Sequence, residues 1–155
     1  MLTEITSHLH PILVHFPIAL IAIAVGYDLV YAIMHRSLPP KQGLWLWLIA
    51  AVSAWLAVST GPEEDAYGNT TFLDIHSMLA DATAWVVTAL TAFRLFMHYR
   101  NKQIAKATLA LYLVISIASL GLVLGTGYYG GKMVYSDGVG VKVNGQDVNP
   151  SKSEQ

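Results

Sequence analysis

The sequence predicts an all-α membrane protein: a four-helix transmembrane bundle followed by a short C-terminal β-hairpin-like segment. Three observations predict it. Hydrophobic residues make up 54% of the 155 residues and charged residues only 12%, about half the ~25% of an average soluble domain. Four apolar stretches approach the ~20 residues that cross a bilayer. The loops between them alternate in charge, as membrane-protein loops do.

The four stretches run over residues 12–34, 44–60, 76–97 and 107–128. Residues 1–10 lack the basic n-region of a secretory signal, and the first stretch is too long for an h-region alone, so it reads as a retained span. The second is the shortest and either stands upright or begins near the Pro39-Pro40 turn. A three-span count, with 44–60 re-entrant, is the alternative. The third stretch opens at His76. The fourth carries Gly121 and Gly125, a small-xxx-small spacing that lets helix backbones approach closely in lipid. With Ala50, Ala51, Ser53, Ala54 and Ala57 in the second stretch, it reads as a packing seam.

Beyond Tyr128 the chain turns polar, with Gly130-Gly131, Asp137-Gly138 and Asn144-Gly145 as turn signals. Between them Met133-Val134-Tyr135 and Val139-Gly140-Val141-Lys142-Val143 read as the strands of an outward-facing hairpin. Residues 149–155 read as a disordered tail. The expected organisation is therefore a four-span bundle over 1–130 and a hairpin with tail over 131–155.

Loop charge sets the direction. The first loop carries Arg36 and Lys41, the third carries Arg100, Lys102 and Lys106, and neither has an acid. The second carries Glu63, Glu64 and Asp65 with no Lys or Arg. The positive-inside rule puts the first and third loops in the cytoplasm and both termini outside. Span one also holds Asp28 and span three Arg94, at similar depth, which points to an ion pair across a helix interface.

The absence of cysteine excludes disulfides, thiolate metal sites, iron–sulfur clusters and covalent haem attachment. A net charge of −1, with no basic patch interleaved with aromatics, speaks against a nucleic-acid partner. No phosphate loop, HExxH pattern or Ser/His/Asp order is present.

The chemistry lies in the histidines. His15 sits a turn inside span one and His76 opens span three at comparable depth, both at the outer side. Neutral imidazoles on two packed helices can ligate haem iron axially, as b-type cytochromes require. His15 and His76 are therefore the expected ligands of a haem b, with His10 the alternative from the first span and Asp81 a carboxylate able to orient an imidazole. The same pair suits a Cu or Zn site completed by loop carboxylates. His35 and His98 lie beside Arg36 and Arg100 and read as ordinary basic interface. The expected function is a small b-type cytochrome or haem-bearing membrane subunit that passes electrons between quinol in the bilayer and an outer-face partner. The alternatives are a non-catalytic subunit or assembly factor, and an outer-face Cu/Zn-binding protein.

The run His10-Pro11-Ile12-Leu13-Val14-His15-Phe16-Pro17-Ile18-Ala19-Leu20 resembles the opening motif of the bacterial membrane family called domain of unknown function 2231. Thr60-Gly61, His76 and Gly130-Gly131-Lys132-Met133-Val134-Tyr135 leading to Gly138-Val139-Gly140-Val141 extend the likeness over nearly the whole chain. The resemblance implies a four-helix protein of the bacterial inner membrane and brings no activity. It also implies a histidine just before the Gly-Val-Gly-Val run, where this chain has Asp137.

Overall fold

The computed structural model describes residues 9–61 and 71–149. It contains four helices. Helix α1 runs Leu9–His35, α2 Leu44–Ser59, α3 Thr71–Tyr99 and α4 Lys106–Tyr135. Helices α1, α3 and α4, of 27, 29 and 30 residues, are long and apolar enough to cross a membrane. Helix α2 has 16 residues, ~24 Å at 1.5 Å per residue against a ~30 Å hydrocarbon core. It starts late because Pro39-Pro40 shape the loop and Gly43 takes a left-handed conformation, φ +69. A Cβ at Gly43 would lie 3.0 Å from the Tyr27 ring, so only glycine gives both the dihedral and the close approach.

The helices form a ring of neighbours in which α1 packs on α2, α2 on α3, α3 on α4 and α4 back on α1. Short connections make this an up-and-down bundle, with α1 and α3 diagonal and running the same way. The faces turned away from the bundle carry Ile23, Val30 and Ile33 on α1, Val52 and Leu56 on α2, and Leu111, Val114 and Leu124 on α4, all exposed. A polar solvent would not tolerate so continuous an apolar surface; a bilayer does.

At the end of the bundle away from His10 and His76, β1 (Ser37–Leu38) pairs antiparallel with β2 (Ile104–Ala105). The pairing joins the first and third loops over Leu38 and Ile104, both fully buried. No hydropathy signal predicts strands this short.

The ion pair expected between spans one and three is formed. Arg94 Nη1 lies 2.5 Å from Asp28 Oδ2, with both side chains withdrawn from solvent. The same carboxylate oxygen accepts from Trp47 Nε1 at 2.7 Å and from the Tyr112 hydroxyl at 2.5 Å. Arg94 also donates to the carbonyls of Pro40 and Gln42, where the first loop would otherwise leave them unpaired. One node therefore ties all four helices and a loop together. The second carboxylate oxygen, Oδ1, has no partner among the described residues.

The C-terminal segment departs from the sequence reading. Met133-Val134-Tyr135 is not a strand: it is the last turn of α4. Helix hydrogen bonding carries through Gly130-Gly131 because Met133 and Val139 find apolar cover against Leu73 and Phe72 at the start of α3. A hairpin does form, but one step later, between β3 (Lys142–Val143) and β4 (Gln146–Asp147) around Asn144-Gly145. Both turn residues have positive φ, as a two-residue hairpin turn requires. Of the expected tail, Asn149 is buried and the rest lies outside the described residues.

Candidate functional site

The site is built at the end of the bundle opposite the β1–β2 pair, and each helix contributes one feature. In α1 the ladder carries through Val14, whose amide donates to the His10 carbonyl at 3.0 Å and whose carbonyl accepts from Ile18 at 3.4 Å, while Pro17 brings no N–H for the Leu13 carbonyl. The face that continues inward is His10, Val14, Pro17 and Ile18, and these four line a cavity of about 280 Å³. Most of its other walls are small or apolar, among them Ala54 and Ala57 from α2, Ala80 from α3 and Val123, Gly127 and Met133 from α4, with His76, Thr83 and Thr126 as the polar lining. A second cavity of about 50 Å³ touches both His10 and His76 and reaches Ser77 and Asp81.

His10 and His76 meet here from diagonal helices. Their ring centroids are 6.2 Å apart and their planes 80° apart. His10 Nδ1 is 2.9 Å from the carbonyl of Ala57, one of the carbonyls that the end of α2 leaves without a full helical partner. His76 Nδ1 is 2.9 Å from the carbonyl of Thr126 on α4. Gly130, one turn beyond Thr126, opens the way to that carbonyl: a Cβ there would stand 3.1 Å from the His76 ring. Gly61 flanks His10 in the same manner, at 3.4 Å.

Carbonyl oxygens only accept, so each Nδ1 carries its proton and each Nε2 is left with its lone pair. That is how a ligating histidine is normally held: a backbone carbonyl fixes tautomer and ring orientation through the nitrogen that does not bind. Neither Nε2 has a hydrogen-bond partner among the described residues.

His15 does not share this site. It lies five residues beyond His10, about 140° further round the helix at 100° per residue, and is exposed. Its Nδ1 turns back to the Pro11 carbonyl at 2.6 Å. The structure thus brings His76 together with His10 and leaves His15 on the outer face of α1. His35 stacks on Tyr31 at the far end, centroids 4.2 Å apart, and His98 is exposed there. Asp81 is exposed and lines the small cavity, but Thr126, not Asp81, orients His76. Asp137 accepts a hydrogen bond from the Phe72 amide at 3.3 Å, so its carboxylate sits at the amino end of α3, where the helix dipole favours a negative charge. Among the described residues no group of three or more His, Cys, Asp or Glu side chains is placed to hold a metal ion. His8, Glu63, Glu64 and Asp65 lie outside the described residues.

The profile of a family described as "Predicted membrane protein (DUF2231)" matches residues 6–143. No curated protein and no solved structure matches the chain.

Proposed function

The chain belongs to this DUF2231 family of predicted membrane proteins, and from that premise we propose that it is a b-type cytochrome, or the haem-bearing membrane subunit of an electron-transfer complex, with His10 and His76 as the residues that would hold the haem. The observation that carries the reading is the geometry of that pair. The two rings stand with centroids 6.2 Å apart, each with its Nδ1 engaged by a backbone carbonyl and its Nε2 without a hydrogen-bond partner among the described residues, so the pair would offer two neutral imidazole donors to one metal. Donor count points the same way. A porphyrin brings four nitrogens and needs two from the protein, whereas a tetrahedral Zn site takes four ligands and the described residues bring two.

The haem would supply a one-electron couple. The rest of the work falls to the chain. Ala57 and Thr126 hold the imidazoles in the ligating tautomer and raise their basicity. Val14, Ile18, Val123 and Met133 keep water from the cavity, Gly130 makes room for the His76 ring, and Gly127 leaves open space beside the helix. The cavity of about 280 Å³, just under the ~300–1,000 Å³ of ligand pockets, would take only part of a porphyrin. Quinol in the bilayer is the proposed electron donor and a redox protein at the histidine end the acceptor. By the loop charges, that end faces the periplasm of a bacterial inner membrane.

The test is a pyridine haemochrome assay on protein purified from cells supplied with excess haem precursor. About one haem b per chain is expected. Protein free of haem that co-purifies with another membrane protein would replace this reading with that of a non-catalytic subunit or assembly factor. Stoichiometric Cu or Zn without haem would replace it with the metal-binding alternative.

A further inference from the structure

At the end of the bundle away from His10 and His76, five exposed cations gather on two loops: Arg36 and Lys41 on one, Arg100, Lys102 and Lys106 on the other. No acid answers them. Between Asp81 and Asp137 the sequence has no Asp or Glu, and between Asp28 and Glu63 it has none either. Asp28 itself is committed to Arg94 inside the bundle. None of the five makes an ion pair among the described residues.

Loop charge of this sign is general in membrane proteins and by itself sets only orientation. What is particular here is that the β1–β2 pair fastens the two charged loops together. Its register pairs Ser37 with Ala105 and Leu38 with Ile104, so Arg36, the cap of α1, and Lys106, the first residue of α4, both adjoin the Ser37–Ala105 end of the pair. Two like charges brought to one end of the pair repel each other. Both residues also hold a left-handed backbone, φ 54 and φ 55, a conformation that costs a non-glycine residue about 1 kcal/mol or more. Leu38 and Ile104, fully buried beneath the pair, prevent the loops from parting to relieve either cost. A chain that keeps two cations side by side on an anchored platform, with a third at Arg100 and lysines around them, is arranged to share an anion.

We propose that this platform binds the phosphodiester headgroup of an anionic phospholipid, with Arg36 and Lys106 as its two principal contacts and Arg100, Lys41 and Lys102 supplying the surrounding field. The lipid is the occupant that the placement favours. The platform sits directly on the ends of the membrane-crossing helices, at headgroup level, with Tyr99 exposed beside it as an aromatic interface residue. A phosphate of the surrounding leaflet reaches it without any further ordering, and juxtamembrane basic clusters attract anionic lipid in this way.

The experiment compares the intact protein in nanodiscs of phosphatidylcholine with and without phosphatidylglycerol, reading retained lipid by native mass spectrometry and the thermal unfolding midpoint. The wild type should retain phosphatidylglycerol over phosphatidylcholine by roughly tenfold or more, as two headgroup-level charges allow. Arg36→Gln/Lys106→Gln should lose that preference, while Lys132→Gln, at the other end, should keep it. In pure phosphatidylcholine the double variant should melt at or above the wild type, because a repulsion has been removed. Soluble glycerol phosphate should neither displace the retained lipid nor raise the midpoint; if it does, the site recognises free phosphate and the lipid assignment fails. A wild type without lipid preference, a double variant that retains it, or a double variant that melts lower in phosphatidylcholine would each overturn the proposal.

Discussion

Replacing Arg94 by Met probes the node that ties the four helices. The substitution keeps the length and apolar stem of the side chain and removes the guanidinium. Asp28 Oδ2 then keeps Trp47 and Tyr112 as donors but loses its counter-charge, and Oδ1 already lacks a partner. The carbonyls of Pro40 and Gln42 lose their donor as well. Removing one member of a buried pair costs about 3–5 kcal/mol, because the other is left as an uncompensated charge. Asp28→Leu should cost a similar amount by stranding the guanidinium. The double variant Asp28→Leu/Arg94→Met removes both charges and should cost well under the sum, with a coupling of about 2–3 kcal/mol. What remains reflects Trp47 Nε1, the Tyr112 hydroxyl and the two carbonyls, at about 1–3 kcal/mol for each group left unsatisfied. Reversible unfolding in mixed micelles with increasing sodium dodecyl sulfate, followed by tryptophan fluorescence, measures all four corners of the cycle. A single-variant cost below about 1 kcal/mol, or a coupling near zero, would show that the buried pair does not hold the helices together.

Other substitutions test other joints. Gly130→Ala should displace the His76 ring from the Thr126 carbonyl, since its Cβ would stand 3.1 Å away, and cut haem retention severalfold. Gly121→Ala, with nothing within 4 Å, should leave haem retention unchanged and match or exceed wild-type stability by about 0.5–1 kcal/mol. Asp137→Ala removes the acceptor at the amino end of α3 and should cost about 1 kcal/mol, seen as faster hydrogen exchange at the Phe72 amide. Gly138→Ala puts a Cβ 2.7 Å from Val148 at φ +71 and should loosen the C-terminal segment, read as faster tryptic cleavage after the exposed Lys142.

Hydropathy and loop charge were enough to read the bundle, its four helices and the late start of α2, because lipid imposes length and apolarity on every span. The Asp28–Arg94 pair was equally legible, since two charges at one depth in a low dielectric must find each other. The site was legible only in part. Depth alone favours His15, which lies further inside the span than His10. Helix phase decides otherwise, and it is written in the sequence: eighteen residues separate His10 from Asp28, and eighteen separate His76 from Arg94. Eighteen residues are five turns at 3.6 per turn, so each histidine shares a face with the charge beneath it. His15 precedes Asp28 by thirteen residues and falls on another side. Once the ion pair sets which faces of α1 and α3 look at each other, His10 and His76 follow.

Other features had no one-dimensional signal. The β1–β2 pair is two residues long on each side and joins loops more than sixty residues apart, so neither periodicity nor turn chemistry announces it. The end of α4 misleads for the opposite reason. Gly130-Gly131 is a strong turn signal in isolation, yet the helix passes through it. Gly130 serves the histidine and the cavity instead, and the apolar contacts of Met133 outweigh the weak helix propensity of the two glycines.

If His10 and His76 together hold the haem, the visible spectrum must depend on both and not on His15. Reduced-minus-oxidised visible spectra should be recorded on the wild type, His10→Ala, His76→Ala and His15→Ala, purified at equal chain concentration. The expected result is a b-type Soret and α-band in the wild type and in His15→Ala, lost or shifted to a high-spin form in His10→Ala and His76→Ala. A band that survives removal of His10 and disappears with His15, or no band in the wild type, would contradict it.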